Sequence, residues 1–119
     1  MAEVLNPAVL DSLRQLTPPG EPDVLNEVLG IFLREVPPRI ERLRTSFAGG
    51  DIQEVQRAAH SLKGSAGNIG AETLHEAARR IDEKARTGDG SGLQPLIDTM
   101  VAEFGKVEGE IRRLMKSSE

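Results

Sequence analysis

Apolar side chains recur at three- and four-residue intervals along most of this chain, the spacing of helices that each keep one face dry. After a lead-in over residues 1–6, Val9, Leu10, Leu13 and Leu16 predict a short first helix, with Asn6 as its cap and Pro7 at its first position. TPPGEP at residues 17–22 then stops the pattern. It resumes with Leu25, Val28, Leu29, Phe32, Leu33, Val36, Ile40, Leu43 and Phe47, which predict a long helix from about Pro22 to Phe47. Pro37-Pro38 falls inside this run. Proline removes a backbone donor and crowds the preceding turn, so a kink or break is expected near Glu35. The apolar phase is the same on both sides, which favours one kinked helix over two. Gly49-Gly50 closes it.

Asp51 and Glu54 have the spacing of a capping box. Behind them Ile52, Val55, Ala59, Leu62, Ala66 and Ile69 form the stripe of a third long segment, which ends at the glycines of 67–70. Leu74, Ala77, Ala78, Ile81 and Ala85 predict a helix from about Ala71 to Arg86, followed by a turn at TGDGSG, residues 87–92. Leu93, Leu96, Ile97, Met100, Val101, Phe104, Val107, Ile111 and Leu114 predict the last, from about Leu93 to Lys116. No stretch alternates with strand period. The expected fold is all-α: an antiparallel, up-down-up-down four-helix bundle with a short additional N-terminal helix over one end. It spans residues 7–116, with 117–119 as a tail.

Composition narrows the function more than the fold. With 119 residues the chain has room for one domain and one core. There is no cysteine, which removes disulfides and thiolate metal sites, and no Trp or Tyr, which suits an aliphatic helical core. A net charge of −4 argues against a nucleic-acid partner. No apolar run approaches the roughly 18 residues that span a bilayer, and the N-terminus lacks the regions of a signal peptide. No membrane contact and a cytoplasmic location are therefore expected.

One stretch fits a plain packing helix poorly: HSLKGSAGNIG, residues 60–70. Glycine inside a helix costs about 1 kcal/mol relative to alanine, so Gly64 and Gly67 need a reason. At about 100° per residue, His60 falls roughly 135° from the centre of the apolar stripe and Gly64 nearly opposite the core. Gly67, Gln56 and Arg57 share the outward side. Lys63 lies between, one turn from His60. The expectation is an exposed imidazole at mid-helix with a cation beside it and bare backbone around it. A lone surface histidine is most often merely solvated; one accompanied by lysine at +3 and glycine at +4 and +7 carries more. A neutral imidazole nitrogen is a nucleophile that can accept a phosphoryl group and pass it on. An ammonium would steady the phosphoryl oxygens as a point charge. The chain has no P-loop, no kinase glycine-rich loop with its Lys and DFG, and no metal cage, so it is not expected to energise a phosphate by itself.

HSLKGSAGNIG resembles the signature of histidine-containing phosphotransfer (HPt) domains of two-component phosphorelays, H-x-L-K-G-x-x-x-x-x-G. The preceding FLREVPPRIERLRTSFAGGDIQEVQRAAH, residues 32–60, is also similar to that family, and the likeness runs from about Asn6 to Met115. The resemblance implies that His60 carries the phosphoryl group, that Lys63 assists it electrostatically and that Gly64 clears a docking surface. Gly67, Gln56 and Arg57 are expected on the same docking face. It implies response-regulator receiver domains as partners, whose aspartate and Mg²⁺ do most of the catalysis while this chain holds no metal or other cofactor. A cognate hybrid histidine kinase is a further expected partner. NPAVLDSLRQL resembles the start of an HPt domain placed at the C-terminus of such a kinase. Some family members carry a Gln near the phosphohistidine on the following helix; the matching residue here is Asp82, so that role does not transfer. Arg79, one turn earlier, is a candidate neighbour of His60. No dimer-forming patch is evident, and a monomer is expected.

Other readings are weaker. His75 sits beside its stripe and reads as half-buried or solvated. Glu72 and His75 form one E-x-x-H, but the carboxylate metal sites of helical bundles use two. The turn GNIGAET could belong to a helix-turn-helix, but Arg79, Arg80, Lys84 and Arg86 are balanced by Glu72, Glu76, Asp82 and Glu83, a mixed solvated face. The main alternative function is a helical adaptor that kept the bundle and lost phosphotransfer. The intact His-x-x-Lys-Gly favours the carrier.

Overall fold

Each apolar stripe becomes one helix in the computed structural model, which describes residues 4–117 and the side chains of residues 4–115. In chain order the helices are α1 (Pro7–Gln15), α2 (Val24–Ala48), α3 (Ile52–Asn68), α4 (Glu72–Ala85) and α5 (Leu93–Ser117). The starts of α1, α2 and α3 are set by short polar side chains that accept orphan N–H groups. Asn6 Oδ1 accepts from the Ala8 N–H at 2.9 Å, and Asp23 Oδ1 from that of Leu25 at 2.9 Å.

One local expectation holds and one is revised. α2 passes through Pro37-Pro38 as one 25-residue helix, as the shared apolar phase favours, with no break near Glu35. Val36 and Ile40, on either side of the prolines, are both buried and hold the two halves in one phase. At the start of α3 only half of the capping box forms. Asp51 Oδ1 accepts from the Glu54 N–H at 3.1 Å, but the Glu54 carboxylate turns instead to Arg42 of α2 at 2.8 Å and to Arg57 at 3.5 Å.

The helices close into a ring. α3 packs against α2 and α4, α4 against α5, and α5 against α2, while α1 lies on α2. Among the described residues there is no strand. The chain is thus the four-helix bundle with an added N-terminal helix that its periodicity predicts. Leu29, Leu43, Val55, Ile81, Leu93, Met100 and Ile111 fill the interior. Phe32 of α2 stacks on Phe104 of α5 with ring centroids 6.2 Å apart. The α3–α4 contact is built from small side chains, with Ala59, Ala66 and Ala78 all fully buried, so the two helices approach closely there.

The turn between α3 and α4 is pinned from outside. Gly70 has φ +73°, and its carbonyl accepts from the Asn6 N–H at 2.8 Å. A Cβ at this position would lie 2.9 Å from Asn6 Cβ and 3.0 Å from Val9 Cβ. Only glycine satisfies both the backbone angle and the space. The inner end of the lead-in is correspondingly packed, since Leu5 is buried in the core; residues 1–3 lie outside the described residues, as do 118 and 119 of the tail. No helix among the described residues is long and apolar enough to cross a membrane.

Candidate functional site

His60 projects from the middle of α3 with 59% of its side chain exposed, although its neighbours Ala58, Ala59 and Leu62 are buried. Gly64, one turn on, is exposed, and a Cβ added there would meet nothing within 4 Å. These two residues lie where helical phase predicts them. The surface above them is open backbone.

Beneath the ring the arrangement differs from expectation. Asp82 of α4 is the one charged side chain among the described residues that is buried, at 1% exposure. It gathers four side chains. Gln56 Nε2 donates to Asp82 Oδ1 at 2.7 Å. Arg86, one turn along α4, places Nε 3.1 Å from Oδ1 and Nη2 3.4 Å from Oδ2. His60 Nδ1 and Lys63 Nζ each lie 3.2 Å from the other oxygen, Oδ2. Burial by itself would raise the carboxyl's pKa. The hydrogen bonds from Gln56, His60, Lys63 and Arg86 outweigh it and hold Asp82 well below the usual carboxylate range. Asp82 is an anion at neutral pH.

The remaining predicted residues separate into two groups. Lys63 is near His60 as expected, but its ammonium rests on Asp82 rather than reaching outward, with a quarter of its side chain exposed. Gln56 is half-buried and faces α4, not the outward surface on which helical phase placed it. Arg57 does point outward, paired with Glu54. Gly67 is exposed but sits against α4, because a Cβ there would lie 3.4 Å from His75 Nδ1. Arg79 is not a neighbour of His60: it is held by Glu76 at 2.7 and 2.6 Å and by Glu83 on its own helix.

Asp82, Arg86 and His75 are the residues that sequence reasoning left without a role. His75 is half-buried and donates its Nδ1–H to the Lys63 carbonyl at 2.9 Å, a second tie between α3 and α4. The available signal was positional. Asp82 follows Ala78 by four residues and His75 by seven, so both polar residues share the flank of the α4 stripe. That flank proves to face α3.

An exposed imidazole over open backbone, with an ammonium held nearby, can take a group delivered from outside. Among the described residues no three His, Cys, Asp or Glu side chains converge to hold a metal ion. Glu72 accepts from Asn6 Nδ2 at 2.7 Å while His75 donates to the Lys63 carbonyl at 2.9 Å, so the E-x-x-H pair is divided between separate structural contacts.

Comparison with known proteins converges on one family. A family model described as Hpt domain matches residues 27–116. The fold is similar to a crystal structure of histidine-containing phosphotransfer protein B from Pseudomonas aeruginosa PAO1, with TM-score 0.89, 28% identity and coverage of 98% of each chain. It is also similar to the HPT domain of a sensor hybrid histidine kinase from Shewanella, with TM-score 0.79 and 19% identity over 96% of this chain and 95% of that one. Among curated proteins none matches the sequence.

Proposed function

Because this chain belongs to the Hpt domain family and so works in histidine phosphotransfer within phosphorelay signalling, we propose that His60 is the group that carries the phosphoryl. It receives it from the aspartyl phosphate of one response-regulator receiver domain and returns it to the aspartate of another. One observation carries this reading: the His60 side chain is 59% exposed at mid-helix over a glycine surface that a partner can approach. Gly64 keeps that surface flat, and Arg57 borders it. Lys63 supplies positive charge for the phosphoryl oxygens from one turn away.

The chain is a carrier without kinase activity of its own. The partner's receiver domain supplies the catalytic aspartate and the Mg²⁺. A hybrid histidine kinase is the source of phosphoryl groups, the chain acts as a monomer, and it works in the cytoplasm. The test is incubation with a receiver domain and a phosphate donor, scored for acid-labile, alkali-stable label. His60→Gln is expected to abolish the label while circular dichroism and melting temperature stay near wild type. Labelling of the variant at the wild-type rate would refute the assignment.

A further inference from the structure

A glutamate in the first turn of a helix ordinarily reaches back to its own cap. Glu54 reaches sideways instead. Its Oε1 takes Arg42 Nε of α2 at 2.8 Å, and its Oε2 takes Arg57 Nη1 of α3 at 3.5 Å. The carboxylate is largely covered, with 20% of the side chain exposed, while Arg42 and Arg57 stay 71% and 64% exposed. Other arginine pairs carry no such surplus. Arg39 crosses the same seam to Ser65 and pairs with Glu35, Arg112 pairs with Glu108, and Arg79 and Arg80 have Glu76 and Glu83 between them. Where one carboxylate serves two guanidiniums, a positive charge is left over, here on a chain of net charge −4. Each guanidinium also has five N–H donors, more than one shared acid can occupy. Arg57 lies three residues before His60, and both are exposed. The surplus therefore sits at the edge of the surface that a partner must cover.

We propose that Arg42 and Arg57, drawn together across the α2–α3 seam by Glu54, cradle a carboxylate of the receiver domain and so select which receivers this chain serves. This rests on the carrier reading and names how that surface chooses its partner. A guanidinium meets a carboxylate edge-on through two parallel N–H groups, which an ammonium cannot do. Two guanidiniums from different helices, tied to a common acid, have less side-chain freedom to lose on docking than two loose ones. Glu54 is thus a positioning residue: it lies beneath the arginines and sets where they stand. Charge at the rim of an interface acts on encounter rate and partner choice. The cradle therefore governs which receiver docks, and the chemistry stays with the ring of His60.

The test is the kinetics of transfer from a phosphorylated receiver domain that labels the wild type, run on Arg42→Ala, Arg57→Ala and the double variant. Each single change should raise KM about two- to fivefold at low ionic strength, the range that an exposed charge pair supports, with a much smaller effect on kcat. The double variant should be little worse than the worse single one, because both arms hold the same carboxylate. The differences should fade as salt is raised to about 0.5 M, where screening acts within a few ångströms. All variants should melt near wild type, since exposed ion pairs add little stability. Arg112→Ala removes the same charge from α5 and should keep the wild-type KM. Single effects that multiply in the double variant would mean two separate contacts and overturn the cradle. An equal rise in KM for Arg112→Ala would assign the effect to overall charge and overturn it too. So would a parallel loss of labelling from phosphoramidate, which needs no docked receiver, because the arginines would then serve the phosphoryl group itself. If the wild type takes no label from either donor, the carrier reading fails, whereas an unchanged KM in the arginine variants overturns the cradle alone.

Discussion

Replacing Gly64 with glutamine should make the protein more stable and less active at once. A Cβ at this position meets nothing within 4 Å, and the residue is exposed in the interior of α3. The substitution therefore exchanges a poor helix former for a good one at no packing cost, a gain of about 0.5–1 kcal/mol. In a domain of 119 residues that corresponds to a rise in melting temperature of roughly 2–5 °C. The new side chain covers the surface beside His60. Forcing a docked partner around such extra atoms typically costs about 1–3 kcal/mol, so transfer from a phosphorylated receiver should slow roughly 5- to 150-fold. Glutamine adds no charge, and the loss then reads as bulk. Gly105→Ala is the matched control. Gly105 is also exposed, in the interior of α5, and an added Cβ there also meets nothing. It should raise the melting temperature by a similar amount and leave transfer unchanged, because α5 packs on α2 and α4 away from the His60 surface. Thermal melts and a transfer time course measure both quantities on each protein. A fall in melting temperature for the Gly64 variant would show that the position is not open. A stabilised variant that transfers at full rate would remove the docking role.

Two further outcomes follow from the buried acid and from the α3–α4 turn. Asp82 titrates below its unfolded value of about 3.9, so its contribution to stability is present above about pH 4 and is lost as pH falls below it. The difference in melting temperature between wild type and Asp82→Asn should shrink steadily from about pH 4 to pH 2; a constant gap would contradict the depressed carboxyl. Gly70→Ala should cost at least about 2 kcal/mol, from the left-handed backbone angle and from contacts at 2.9 and 3.0 Å with Asn6 and Val9. Urea titration giving a loss under about 0.5 kcal/mol would show that the N-terminal segment is not docked on this turn.

The bundle was legible because long stripes such as Leu25 to Phe47 and Leu93 to Leu114 repeat over several turns, and that periodicity survives two adjacent prolines. His60 and Gly64 were legible for the same reason: helical phase states how far a residue lies from the dry face. It does not state which neighbouring helix a flanking residue will meet. Gln56 lies to one side of the α3 stripe and Asp82 to one side of the α4 stripe, and nothing in either helix alone says that these sides are apposed. The site therefore read as a histidine and a lysine facing water, when the buried partner beneath them sits 22 and 19 residues further along the chain. Arg79 and Arg86 show the same limit. Both lie near that flank, yet Arg79 finds Glu76 and Glu83 on its own helix and only Arg86 reaches Asp82.

The contacts between α3 and α4 also fix how far one helix can slide along the other. His60, Lys63 and Gln56 engage Asp82, while one end of His75 grips the Lys63 carbonyl. A slip of one helical turn would carry Asp82 about 5.4 Å along the axis, out of reach of His60, and would pull His75 off its carbonyl in the same movement. The placement of the ring and the register of the hairpin are thus one mechanical state. A docking partner that pushes on α3 meets a ratchet tooth rather than a sliding surface, and the nitrogen it must meet stays in place under load.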